Sequence, residues 1–437
     1  MNEAEQKATL TKTIQRLIPF LFFLYVIAYL DRVNVGFAQL QMKGDLGFSD
    51  KAYGFGASIF FVGYFLFEVP SNVILQRVGA RRWLARIMVS WGVVAIGMMF
   101  IHSALSFYAM RFLLGIAEAG FFPGVLYYLT TWFTSEERAR IVAWFMTANA
   151  AAFIVGGPLS GALLSLRGVG HLAGWQWLFL LEGLPAVLMG YVTFLYLPDS
   201  PAQARWLSDA QKAWLLERLQ TEQASKGQRG HFTLKAALSS RAVWHLCALY
   251  LTLVFGMYGL LLWMPQLIHE FHNLSSFKVG LCSAVPYLCA AAAMTLTAAH
   301  SDKTRERRLH VATPAIIGAL GLFLTALTPH QPVLGLAAMS LAAAGMWSTL
   351  GPFWSLPTAF LGGAAAAGGL ALINAVGNLG GFAGPYAVGA LKDHFHNPKI
   401  GLYVLAGSLT AGALLALALP KDRREPQPMY PEAEIPR

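Results

Sequence analysis

An acid, a guanidinium and an amide fall close together in Tyr29-Leu30-Asp31-Arg32-Val33-Asn34, inside an apolar stretch that runs from about Ile14 to Leu40. Such a stretch is long enough to cross a bilayer, which takes roughly 20 apolar residues rising about 1.5 Å each. An ionisable side chain at the centre of a span costs about 2.5–3.5 kcal/mol on insertion scales, so it faces a partner or a water-filled cavity. Two more charges of this kind, Arg111 and Glu118, lie seven residues apart in a later apolar stretch, on one helical face and two turns from each other. Two carboxyls and two guanidiniums can trade a proton against an anion. Empty, the group is neutral; an added anion leaves an uncompensated negative charge in low dielectric unless a proton comes with it. A plainer alternative places Asp31 and Arg32 in a shallow funnel or a structural ion pair, or lets Arg111 and Glu118 staple their own helix.

The surrounding sequence has to hold these groups in a membrane. The chain of 437 residues is 56% apolar and only 12% charged, far greasier than a soluble domain. Twelve spans can be read, at 14–40, 53–75, 84–101, 105–132, 141–165, 177–197, 243–268, 279–299, 309–328, 332–356, 364–391 and 400–419. The net charge of +10 sits in short loops without a nucleic-acid motif, so it reads as a topology signal. With the N-terminus inside the cell, 24 of the 32 Lys and Arg fall on the cytoplasmic side, six in outward loops and two, Arg32 and Arg111, deep in spans. Both termini are therefore expected in the cytoplasm.

The expected division is an N-terminal six-helix bundle over 1–198, a cytoplasmic linker over 199–240, a C-terminal six-helix bundle over 241–420 and a cytoplasmic tail over 421–437. In the linker, Ser208-Asp209-Ala210-Gln211 reads as a capping box opening an amphipathic helix through Leu219, with Trp206, Trp214, Leu215 and Leu219 on its apolar side. This helix is expected along the membrane surface. The halves echo each other: Arg77 to Arg82 after span two matches Asp302 to Arg308 after span eight, and Gly157 to Leu163 matches Gly384 to Leu391 at about the same offset. Cys247, Cys282 and Cys289 have no CxxC spacing, and neither a disulfide framework nor a metal site is indicated. The polar N-terminus, Met1 to Lys12, lacks the pattern of a cleaved leader.

These features resemble the major facilitator superfamily, and within it the anion:cation symporter family of tartrate, sugar-acid and phthalate permeases. The runs that carry the likeness are Tyr29 to Asn34, Phe67-Glu68-Val69-Pro70-Ser71-Asn72, Arg111 to Gly124 (RFLLGIAEAGFFPG) and Gly174 to Pro185 (GWQWLFLLEGLP). The resemblance implies an all-α membrane protein of twelve helices in two six-helix bundles. It implies that Asp31 and Glu118 take up protons and that Arg32 anchors the anion, with Tyr29, Tyr64, Asn149, Trp354 and Asn374 along the pathway. The loop after span two departs from the superfamily pattern, with Gln76 where an aspartate is usual and Asn72 where a glycine is usual. Asp302 holds the equivalent acidic position in the second half, so Arg77, Gly79, Arg81, Asp302 and Arg305 are the candidate gating residues.

With span one running outward and span four inward, Arg111 falls near the depth of Asp31 and Glu118 deeper, so Asp31 is expected to pair with Arg111 while Glu118 competes with the substrate for Arg32. Tyr29, Tyr64, Asn149 and Asn374 offer hydrogen bonds and Trp354 an apolar wall, although core packing is an equally good account of Tyr64 and Trp354. Glu68 and Glu182 read as structural acids, and Tyr258 and Gln266 as weaker pathway residues. The expectation is a proton-coupled symporter of a bacterial inner membrane, importing a small hydroxy-carboxylate such as tartrate or a sugar acid by alternating access, as a monomer and with no cofactor but the co-transported proton. Rivals are an aromatic-acid symporter, an uncoupled facilitator or exchanger, and a sensor that binds without carrying. No nucleophile with a base, metal constellation or phosphate loop argues for an enzyme.

Overall fold

The computed structural model describes residues 1–226, 238–272, 274–360 and 364–420. Among them the chain forms α1 (Glu3–Leu46), α2 (Asp50–Val78), α3 (Ala80–Gly97), α4 (Ala104–Glu118), α5 (Phe121–Thr130), α6 (Ser135–Leu164) and α7 (Gly174–Tyr196). After these come α8 (Asp209–Lys226), α9 (Arg241–His272), α10 (Ser276–Thr304), α11 (Arg308–Leu327), α12 (Pro332–Ser348), α13 (Leu350–Phe360), α14 (Ala364–Phe395) and α15 (Pro398–Ala418). Two pairs, α4 with α5 and α12 with α13, each make one span, and eleven spans among the described residues are long and apolar enough to cross a membrane. The twelfth is α14. Backbone polar groups find no water in hydrocarbon, so each span closes its own hydrogen bonds as a helix.

Three boundaries differ from the sequence expectation. Helix α1 begins at Glu3 rather than at about Ile14, because Asn2 and Glu5 form a reciprocal capping box ahead of the apolar stretch. The fourth span breaks after Glu118: Gly120 takes φ +88°, and a Cβ there would lie 2.3 Å from the Ser71 hydroxyl. The tenth breaks at Thr349, whose amide and hydroxyl both turn back to the Met346 carbonyl, at 3.2 and 2.6 Å.

Within each half, the last helix ends beside the start of an earlier one. The Tyr196 hydroxyl at the end of α7 donates to the Arg16 carbonyl, and Arg308 at the start of α11 donates to the Leu419 carbonyl. On the far face the two sets of six spans close tightly against each other. A Cβ on Gly157 of α6 would meet the Gly280 carbonyl of α10 at 2.6 Å, so only small residues allow these backbones to touch. Phe153 stacks on Tyr287 next to this contact, and the Trp263 indole donates to the Pro385 carbonyl at 3.0 Å.

The Ser208 capping box forms as read, but α8 continues to Lys226. Leu215 and Leu219 are buried, Trp206 stacks on Trp132, and Arg218 pairs with Glu137 at 2.7 Å. The linker helix is therefore docked on the first half of the protein, beside the start of α6.

Candidate functional site

Helix α1 carries the centre of the site. Asp31 is 1% exposed and accepts from the Asn34 amide (3.0 Å), three residues along the same helix, and from the Trp91 indole of α3 (2.9 Å). Arg32, next in sequence, points about 100° away around the helix and meets Glu118 instead. Its Nε and one terminal nitrogen both reach Glu118 Oε1, at 2.6 and 2.5 Å. The second oxygen, Oε2, is buried and has no hydrogen-bond partner. The carboxylate of Glu118 is fully buried, whereas the Arg32 side chain keeps 13% of its surface exposed.

Aromatic rings hold the guanidinium on its other sides. Its carbon lies 5.1 Å from the Tyr64 ring centroid, 5.2 Å from Tyr29 and 5.6 Å from Phe60, within cation–π range. The rings can stand this close because α2 and α4 touch backbone to backbone, with Gly115 against the Phe60 carbonyl. The break at Gly120 leaves Glu118 as the last residue of α4, aimed at α1.

The expected pairing of Asp31 with Arg111 is corrected. Arg111 is 2% exposed and donates to the Ala57 carbonyl of α2 at 2.9 Å, its guanidinium carbon lies 5.0 Å from the Phe60 ring centroid, and its Nε has no partner. Among the described residues no hydrogen bond or ion pair joins it to Asp31. Asparagine and tryptophan donors occupy the two carboxylate oxygens of Asp31, which leaves Arg111 at a distance. Glu118 is likewise committed to Arg32 and does not staple α4 to itself through Arg111.

The other candidate pathway residues spread around this centre. Tyr29 packs edge-on against Phe153 and Tyr25, and the Asn149 carbonyl oxygen on α6 is buried without a partner. From the second half, Trp354 packs against Tyr250 and Phe353. Asn374 on α14 reaches Glu68 on α2 at 3.4 Å, so an acid read as structural is joined to the pathway amide across the two halves. Tyr258, read as a weaker candidate, packs edge-on against Phe61. Gln266 instead donates to Glu270 near the far end of α9.

The candidate gating residues stay within their own halves. Gly79 has φ +95°, the Arg81 amide donates to Asp199 at 2.8 Å, and Arg77 is exposed at the end of α2. Asp302 pairs with Arg307 at 2.6 Å, and Arg305 ends α10 in the left-handed conformation.

Cross-half charge contacts gather on the far face, where the sequence reading placed nothing. Lys392 of α14 pairs with Glu270 of α9 and lies 3.4 Å from Asp50 of α2, which also pairs with Lys43 of α1. Asp393 caps the start of α2, accepting from the Asp50 amide at 2.9 Å and the Lys51 amide at 2.7 Å. A carboxylate there also meets the positive end of the helix dipole. The signal available in sequence was Lys392-Asp393 at the foot of a glycine-rich span, opposite the acidic start of another, but pairing between distant loops has no periodicity to betray it.

Comparison with known proteins places this arrangement. A protein of Agrobacterium vitis named "Putative tartrate transporter" is 48% identical over 426 residues, covering 97% of this chain and 98% of its own. A "Quinolone resistance transporter" of Acinetobacter baumannii is 44% identical over 400 residues, covering 92% of each chain. In fold, the chain matches the xylose transporter XylE from E. coli, in its partially occluded inward open conformation, with a TM-score of 0.73 at 15% identity, over 94% of this chain and 99% of that one. The model of the Major Facilitator Superfamily matches residues 21–385. The chain therefore belongs to the major facilitator superfamily, as a membrane transporter of twelve helices and not an enzyme.

Proposed function

We propose that this protein imports a small organic anion together with protons, by alternating access across the inner membrane of a bacterium, with both termini in the cytoplasm. One observation carries the reading: Glu118 holds Arg32 through a single oxygen while its other oxygen lies buried and unbonded. A proton on that oxygen weakens the grip on Arg32. The freed guanidinium, already braced by Tyr29 and Tyr64, can then take a substrate carboxylate through two parallel hydrogen bonds. Without the proton, Glu118 reclaims Arg32 and expels the anion. Proton and anion are thus bound together or not at all.

In this reading Asn149, Asn374 and Glu68 serve substrate hydroxyls, Trp354 forms a wall, and Asp31 with Arg111 tunes the charge behind Arg32. A hydroxy-carboxylate such as tartrate or a sugar acid fits that polar inventory, and the tartrate-named relative supports it. The aromatic rings and the quinolone-named relative favour an aromatic acid as the second reading. The packed far face is then periplasmic, the site opens toward the cytoplasm, and the loops carrying Arg77, Gly79, Arg81, Asp302 and Arg305 close it during the cycle. One chain holds the full pathway and works as a monomer.

The test is uptake into proteoliposomes of tartrate, galactonate, glucarate and phthalate, with and without an inward proton gradient. The gradient is expected to drive accumulation of one of these acids, and Glu118→Gln to abolish accumulation while keeping substrate exchange. Normal accumulation by Glu118→Gln removes that acid from the mechanism, and uptake indifferent to the gradient turns the protein into an uncoupled facilitator or exchanger.

A further inference from the structure

The interior of the protein offers a ligand one cation. Deep in the spans the only Lys or Arg are Arg32 and Arg111, and from 241 to 419 every Lys and Arg lies in a loop or within about a turn of a helix end. Arg111 is 2% exposed and its guanidinium donates to the Ala57 carbonyl, so it is closed to a ligand. Arg32 keeps 13% of its side chain exposed and has only Glu118 as an ionic partner among the described residues.

The groups next to Arg32 on the way to the second half carry no positive charge. The Tyr64 ring is the aromatic nearest its guanidinium, with the centroid at 5.1 Å. Glu68 follows Tyr64 by four residues on α2, which puts it one turn along the same helical face, about 6 Å further on. There Glu68 Oε1 accepts from the Asn374 amide of α14 at 3.4 Å. Three residues on from Asn374, a Cβ on Gly377 would lie 1.9 Å from the Tyr250 ring, against which Trp354 packs edge-on. A ligand whose carboxylate sits on Arg32 thus meets a carboxyl, an amide and aromatic rings at its other end. Hydroxyls suit that company, since a carboxyl oxygen accepts from them and an amide does both. A second carboxylate finds no counter-charge there, and two carboxylates sharing one site repel each other.

We propose that this transporter selects acids with a single carboxylate at the end of a hydroxylated carbon chain, and that Glu68 is the residue that turns a second carboxylate away. With a proton on Glu118, Arg32 and one carboxylate balance to zero. A dicarboxylate adds a negative charge that nothing in the site neutralises. The inference narrows the hydroxy-carboxylate reading above to aldonic acids, against dicarboxylates such as tartrate, and rests on Arg32 as the anchor of the anion.

Two matched pairs test it in proteoliposomes: gluconate with glucarate, and galactonate with galactarate. The members of each pair differ only at the last carbon, a hydroxyl in one and a carboxylate in the other. In the pair that is carried, the monocarboxylate is expected to be preferred by about tenfold or more in kcat/KM for initial uptake. Glu68→Gln keeps a hydrogen-bonding side chain of the same size, and is expected to raise the dicarboxylate relative to its partner by about tenfold, whereas loss of a merely structural acid would lower both alike. If Glu68→Gln does not fold, Asn374→Lys brings a cation to the same end and should move the ratio in the same direction. Uptake of glucarate, galactarate or tartrate as efficient as that of the monocarboxylates, or a ratio unmoved in the folded variant, overturns the proposal and leaves the Glu118 coupling standing. A preferred monocarboxylate whose uptake ignores the proton gradient overturns the coupling and leaves the selectivity standing. Uptake of none of these acids overturns both.

Discussion

Arg32 has a surrounding that lysine cannot reuse. Its planar fork meets Glu118 with two nitrogens while its faces and edges lie near three aromatic rings, whereas an ammonium is a compact, strongly hydrated point charge. Arg32→Lys is therefore expected to raise the apparent KM for uptake by about tenfold or more, measured as initial rates against substrate concentration, with protein recovery unchanged. Unaltered affinity would show that the anion is held elsewhere. The same residue illustrates how far the sequence could be read. That Asp31, Arg32, Arg111 and Glu118 face a common interior followed from the cost of burying charge, and they do share one. Which pairs with which did not follow, because α1 turns Asp31 toward α3 and Arg32 toward α4, and the Trp91 indole that takes an Asp31 oxygen comes from a residue with no motif around it.

At the level of elements, the break between α4 and α5 aims Glu118. Gly120 needs a positive φ and a bare Cα against Ser71, two demands that alanine fails at once. Gly120→Ala is expected to lower stability by roughly 1–3 kcal/mol or more, the range for a strained backbone residue, read as a reduced melting temperature in detergent. It should also cost accumulation by moving Glu118 away from Arg32. On the far face, the charges of Lys43, Asp50, Lys392, Glu270 and Asp393 join α1, α2, α9 and α14. Lys392→Ala with Asp393→Ala is expected to shift the protein toward states open on that face. Electron-spin distances between Arg167→Cys and Lys399→Cys labels, on a background without Cys247, Cys282 and Cys289, should lengthen and broaden. An unchanged distance distribution would mean that the glycine seam at Gly157 and Gly280 suffices to close it.

For the whole molecule, pH separates this latch from the interior site. Burial alone would raise the Asp393 carboxyl, but hydrogen bonds from Ser49 and from the Lys51 and Asp50 amides, with the Lys43 charge, outweigh it and hold the group below its ordinary 3.8. A depressed value in the closed state means that its contribution to closure is fully present above the ordinary value and is lost as pH falls through the lower one. The latch therefore stays charged from neutral to mildly acidic pH. Spin-label distances across the far face in substrate-free protein should not change over that window through Asp393, and a change that survives Asp393→Asn would assign the sensitivity to the interior carboxyls. The loops on the terminal face differ, since Arg81 and Asp302 bond within their own halves, to Asp199 and Arg307.

The apolar spacing of the chain by itself determined that twelve helices cross a membrane, because hydrocarbon enforces helices of a minimum length wherever charges are lacking. Local capping likewise fixed the start of α8 at Ser208, since both halves of that signal lie within one turn. The bends at Gly120 and Thr349, the partners of Asp31 and Arg111, the contact of Glu68 with Asn374 and the far-face latch were decided only in three dimensions. Each depends on which side of one helix meets which side of another far along the chain, and a side chain's neighbours across a bundle leave no trace in the spacing of its own helix.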